Sequence, residues 1–197
     1  MRRVRDQSPL ILCLVLFAGG LTMGILGLRV LSPDEKAELV SYLEVFMRGV
    51  RTPGLEPGAI FRLSIGQNLK TALLLWGFGL AVIGAPLTCL LLVARGFAVG
   101  FGASFVIREV STGGVAMFLS GMLPHNLVAV PTVVALSALS MSFSVALVTD
   151  RPWTYGGLWR MAGSYTWRFA LLCLGLAASS LVEAYISPLL LARTAGL

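Results

Sequence analysis

The chain holds 197 residues, 57% of them hydrophobic and only 12% charged, with a mean hydropathy of +0.88. A soluble domain carries roughly a quarter of its residues as Asp, Glu, Lys and Arg, so this composition excludes an ordinary water-facing fold and makes lipid the solvent. The net charge of +6 comes from arginines scattered along the chain, without the basic run interleaved with aromatics that marks a nucleic-acid face. No nucleic-acid partner is expected; the arginines suit membrane boundaries, where they set orientation.

The length fits one membrane domain, 1–197, and the apolar runs predict an all-α, polytopic bundle of about five transmembrane helices. The first span, about 9–31, stands behind Arg2, Arg3 and Arg5. It is longer than the roughly 7–15 residue centre of a signal peptide, and no small-x-small cleavage site follows, so it reads as an uncleaved helix. Gly20 and Gly24 form a small-xxx-small pair on which another helix can lie close.

The stretch from Ser32 to Arg62 is the one sizeable polar segment. Ser32-Pro33-Asp34-Glu35 gives a helix start, with Ser at the N-cap, Pro at the first helical position and Glu three residues after the cap. Leu39, Leu43, Phe46 and Val50 then recur at helical spacing. An amphipathic helix over 33–51 follows, which either lies on the bilayer or offers a dock for a partner. Pro53-Gly54 and Pro57-Gly58 predict turns after it.

A second span is expected over 69–93, kinked by Gly77, Gly79, Gly84 and Pro86 and closed by Arg95. A third covers 96–112, with Gly96 and Gly100 again four apart. Its apolar part, about 12 residues, is short for a span. Arg108, Glu109 and a turn at Ser111-Thr112-Gly113-Gly114 separate it from the apolar stretch 115–123. Either the third helix is extended by its polar end, or one of these pieces is broken or re-entrant. The fourth span, 127–148, carries Ala138, Ser142 and Ala146 as a stripe suited to a helix interface. The loop 150–168 mixes Arg151 and Arg160 with Trp153, Tyr155, Trp159, Tyr165 and Trp167, an interfacial composition. The fifth span is 169–191. Arg2, Arg3 and Arg5 put the N-terminus in the cytoplasm, and five spans then leave the amphipathic helix and the C-terminus outside a cell-membrane protein.

Few residues point to chemistry. Cys13, Cys89 and Cys173 lie in apolar stretches without C-x-x-C spacing, so neither a disulfide frame nor a zinc site is expected. His125, the single histidine, lies in Leu123-Pro124-His125-Asn126, a polar break between apolar stretches. It reads either as a helix-to-helix corner, with Asn126 as a cap, or as a proton-handling or ligand-contacting imidazole. Glu183 is the carboxylate set well inside an apolar span; Arg193, Arg29 or Lys70 could pair with it. There is no G-x-S-x-G, H-E-x-x-H or phosphate-binding glycine loop. The chain is expected not to be an enzyme, with no catalytic residue, cofactor or metal.

Leu123-Pro124-His125-Asn126, followed by Pro131 opening a long apolar run, resembles the Pro-His turn of the stage II sporulation protein M family. The stretch from Phe61 to Leu69, holding Gln67-Asn68, looks like the family's Asn pair before its second span, and Arg95–Gly100 is similar to its glycine-containing turn. Two positions depart: Ala129 stands where the family has an acid, and Gln67 where it has the first Asn. The resemblance implies a non-catalytic scaffold in engulfment, which assembles with stage II sporulation proteins P and D, the enzymes that cut septal peptidoglycan. A membrane subunit of a transporter or permease complex is the rival, motivated by the broken helix and by His125 and Glu183. Membrane lipid is the expected neighbour, and a homo-oligomer is a further option.

Overall fold

The computed structural model describes residues 8–51, 57–109, 113–149 and 155–194, with the side chains of 43–51, 155, 192 and 194 outside the description. The segments around Arg2, Pro53-Gly54, Ser111-Thr112 and Asp150–Trp153 therefore lie outside the described residues, as do the side chains of Leu43, Phe46 and Val50. All regular structure in the described part is helical: α1 (Ser8–Val30), α2 (Pro33–Arg51), α3 (Pro57–Leu80), α4 (Gly84–Glu109), α5 (Gly114–Met117), α6 (Leu123–Thr149), α7 (Tyr155–Leu181) and α8 (Ser187–Thr194). Two π-helical turns, Phe118–Met122 and Val182–Ile186, join α5 to α6 and α7 to α8 without a break.

Among the described residues, four helical runs are long and apolar enough to cross a membrane: Ser8–Val30, Gly84–Glu109, Gly114–Thr149 and Gly156–Leu191. The 24-residue α3 is not among them, because Arg62, Ser64, Gln67, Asn68 and Lys70 dilute its apolar character.

The expected second and third spans are redrawn. The stretch 69–93 is not one helix, since a tight turn at 81–83 splits it between α3 and α4, and α4 then passes through Arg95 and Gly96 to Glu109. Backbone freed by such a turn near lipid needs partners. The Ser144 hydroxyl supplies them, donating to the Ala81 carbonyl at 2.8 Å and accepting from the Ala85 N–H at 3.1 Å. Gly84 is required in this turn, because a Cβ there would strike the Phe78 carbonyl.

Pro57, expected in a turn, instead opens α3, where its missing N–H costs nothing. The loop 150–168 is also shorter than expected, because α7 is helical from Tyr155. Trp159 and Trp167 stand exposed on the flank of α7, as interfacial aromatics do.

The glycine pairs fix the closest approach in the bundle. A Cβ on Gly20 or Gly24 would strike the carbonyls of Val93 and Phe97, and one on Gly96 or Gly100 those of Phe17 and Leu21. Backbone therefore meets backbone, and residue numbers rise together along the two helices, so α1 and α4 run parallel. These faces are spent inside the chain rather than offered to a second copy.

On α6 the buried small face is Ser137, Ser140 and Ser144, each fully buried, not the expected stripe of Ala138, Ser142 and Ala146, which are only partly buried. Ser140 donates to the Leu75 carbonyl at 2.7 Å and meets the Thr88 hydroxyl at 3.2 Å, tying α6 to α3 and α4. The aromatic core sits beside this point, with Phe143 stacked on Tyr165 at 4.4 Å and Tyr165 tilted against Phe169 at 5.6 Å.

The start of α2 forms as its sequence predicts. The Ser32 N–H donates to Glu35 Oε2 at 2.8 Å, and the Glu35 N–H donates to Ser32 Oγ at 3.3 Å, a reciprocal capping box. These bonds, the backbone one foremost, hold the Glu35 carboxyl below its ordinary pKa. Beyond its cap, α2 shares no substantial packing with any other described helix.

Candidate functional site

The buried face of α3 is Ser64, Asn68, Ala72, Leu75 and Gly79, a helical stripe that is polar toward Pro57 and apolar toward the turn. Its apolar half lies under Tyr165, whose hydroxyl donates to the Trp76 carbonyl at 3.1 Å. Its polar half builds a seam across three helices. Asn68 Nδ2 donates to Ser180 Oγ at 2.9 Å and to the Leu176 carbonyl at 3.4 Å. Arg95 Nη2 of α4 donates to Thr71 Oγ1 at 3.1 Å and to Asn68 Oδ1 at 3.4 Å. Ser64 Oγ donates to Glu183 Oε2 at 2.6 Å. Asn68 thus accepts from the Arg95 guanidinium one helical turn from Ser64, which holds the Glu183 carboxylate.

A charge at the centre of a span costs about 2.5–3.5 kcal/mol on insertion scales. Hydrogen bonds to amide and hydroxyl groups offset much of that, because each charge keeps a partner. Arg29, Lys70 and Arg193, the expected partners of Glu183, are all exposed; the described partner is Ser64.

Leu123–Asn126 is not a corner. A proline within an α-helix clashes with the carbonyl four residues back and removes one hydrogen bond. The π turn Phe118–Met122 widens the helix just before Pro124, with the Leu123 N–H reaching the Phe118 carbonyl, so the helix continues. The same device recurs at Val182–Ile186, where the Ser187 N–H reaches the Val182 carbonyl just before Pro188. Glu183 projects from this second π turn.

Asn126 is therefore no cap. Its Nδ2 donates to the Met122 carbonyl at 2.8 Å and lies 3.1 Å from His125 Nε2. With that nitrogen accepting, a hydrogen on Nδ1 faces the Gly121 carbonyl at 3.3 Å. Both ring nitrogens are occupied within one helix. The link to α7 is through the backbone, where Ser179 Oγ donates to the His125 carbonyl at 3.0 Å.

The structure thus sets Asn68, through Ser180, and Glu183, through Ser64, on the same face of α3, and the His125 backbone one residue from the seam, through Ser179. Pro131 is exposed within α6. Leu39 is half-buried on α2. A cavity of ≈ 610 Å³ lies between α1, α4 and α6; Asn126 and Pro131 line it, and neither His125 nor Glu183 does. Among the described residues no three His, Cys, Asp or Glu side chains are grouped to hold a metal ion.

Sequence reading missed Arg95, Ser64, Thr71 and Ser180. Arg95 had a usable signal: in a helix running unbroken from Gly84 to Glu109 it falls near the centre, where an arginine demands acceptors.

Parallel and antiparallel apolar helices stitched by a buried polar seam define a multi-pass helical membrane protein. The model of the family described as stage II sporulation protein M matches residues 13–188, and the chain belongs to that family. Neither a curated protein nor a solved structure matches the chain.

Proposed function

We propose that the chain is a non-catalytic scaffold of the cell membrane that gathers peptidoglycan-cutting enzymes during engulfment, with stage II sporulation proteins P and D as its partners. It crosses the membrane five times, with α3 as the additional crossing. The N-terminus is cytoplasmic, and α2 and the C-terminus are extracytoplasmic.

The observation that carries this reading is α2, an amphipathic helix with its own cap that stands off the bundle and so remains free to bind. The fold supports it too: the seam's polar groups are engaged in bonds between helices, which suits a rigid holder. A transporter would call for a polar path joining His125 and Glu183; the ≈ 610 Å³ cavity touches neither and is mostly apolar.

The test is co-purification of stage II sporulation proteins P and D with the full chain and with a chain lacking Pro33–Arg51. Loss of both enzymes, with the shortened chain still in the membrane fraction, is the expected result. Undiminished recovery removes α2 as the dock.

A further inference from the structure

The cavity between α1, α4 and α6 is lined mostly by apolar side chains. On α4 its wall runs from Val99 to Arg108, about 13 Å at 1.5 Å per residue. That is close to half of a ~30 Å hydrocarbon core, the depth of one leaflet. Its volume of ≈ 610 Å³ falls within the roughly 300–1,000 Å³ of ligand pockets. Leu21, Ile25, Ala103 and Val130 make its sides apolar, and Arg108 stands at its rim.

Arg108 is exposed and, among the described residues, has no hydrogen-bond or ion-pair partner. It belongs to the last turn of α4, where a headgroup would lie if the chain fills the groove. Asn126 adds an amide to the wall, and Ser104, also lining the groove, is turned to the Phe101 carbonyl of its own helix at 3.0 Å. Among the described residues, the one charged side chain lining the groove is positive, so the matching headgroup is negative.

We propose that this groove binds a single anionic phospholipid, one acyl chain lying along α4 and the phosphate meeting Arg108. The apolar wall supplies affinity for any chain of suitable length. Arg108 supplies the preference for charge, since a basic residue near anionic lipid gives about a fivefold gain.

The probe is phosphatidylglycerol against phosphatidylcholine of identical chains, titrated into the detergent-purified full chain and read by native mass spectrometry. The wild type should retain phosphatidylglycerol about fivefold more strongly. Arg108→Gln should bring it down to the level of phosphatidylcholine. Ala103→Trp and Val130→Phe, which fill the groove from α4 and from α6, should lower retention of both lipids; thermal melting identifies which variants keep the fold. Equal retention of the two lipids by the wild type overturns the proposal. So does a folded filling variant that binds as the wild type does, or an Arg108→Gln variant that keeps the preference. A wild-type dimer that Ala103→Trp converts to monomer, with lipid retention unchanged, would assign the groove to a second copy and equally overturn it.

Discussion

Arg95 lies near the middle of the 26-residue α4, and its guanidinium is held by Asn68 and Thr71. Replacing it with Leu leaves two acceptors and the Glu183 charge without their counterpart. Arg95→Leu should cost about 1–3 kcal/mol of stability in detergent unfolding. Glu183→Gln should cost less once Arg95 is gone than it does alone, because residues sharing one network couple by about 0.5–3 kcal/mol. Strict additivity of the two substitutions would mean that the charges do not act through one seam. The departure at Gln67 is harmless at this scale: Gln67 is exposed while Asn68 is buried, so the interior needs only the second residue of that pair. Among the described residues, Ser137 and Ser187 are the buried hydroxyls without a hydrogen-bond partner. Asn68 and Glu183 were legible because polar side chains stand out in apolar sequence. Arg95 was not, because the glycine beside it imitates a turn when the neighbouring helix is unknown.

Among elements, the pairing of α1 with α4 rests on four glycines, while Gly19 and Gly77 have nothing near a prospective Cβ. Gly20→Val or Gly96→Val should force the two backbones apart and destabilise by about 1–3 kcal/mol. Gly19→Ala, by contrast, should be neutral or stabilise by up to about 1 kcal/mol, since alanine is the better helix former. Equal melting temperatures across the three variants would show that the contact is not held by glycine. Both glycine pairs were readable from spacing, but which helices they join was not, because that depends on the break at 81–83. That break is hidden for the same reason: its hydrogen-bond partner, Ser144, lies 59 residues from Ala85. The π turns were equally out of reach. A proline next to His125 announces a disturbance in the helix, and a widened turn absorbs it as readily as a corner does.

At the level of the molecule, the helix directions follow from the contacts. The α3 helix pairs Ser64 with Glu183 at one end and Trp76 with Thr166 at the other, so α3 and α7 are antiparallel. With α1 parallel to α4, Ser32 after α1 and Ile83 before α4 stand at opposite ends of the bundle. In a chain with its three cysteines replaced, Ser32→Cys should react with a membrane-impermeant maleimide on intact cells, and Ile83→Cys only after lysis. Labelling of both from outside would refute the proposed orientation. Membrane residence could be read from composition and helical class from the apolar runs, because hydropathy needs no tertiary knowledge. The path of the chain could not.

The parallel pairing of α1 and α4 also has a consequence for synthesis. The glycine face of α1 finds its partner only when Glu109 has been made, about 80 residues after Val30. At about 5–20 residues per second that interval is roughly ten seconds. Through it the first helix stands in the bilayer unmatched, held there by its hydropathy alone, until the ribosome delivers the strand of backbone it was shaped to meet.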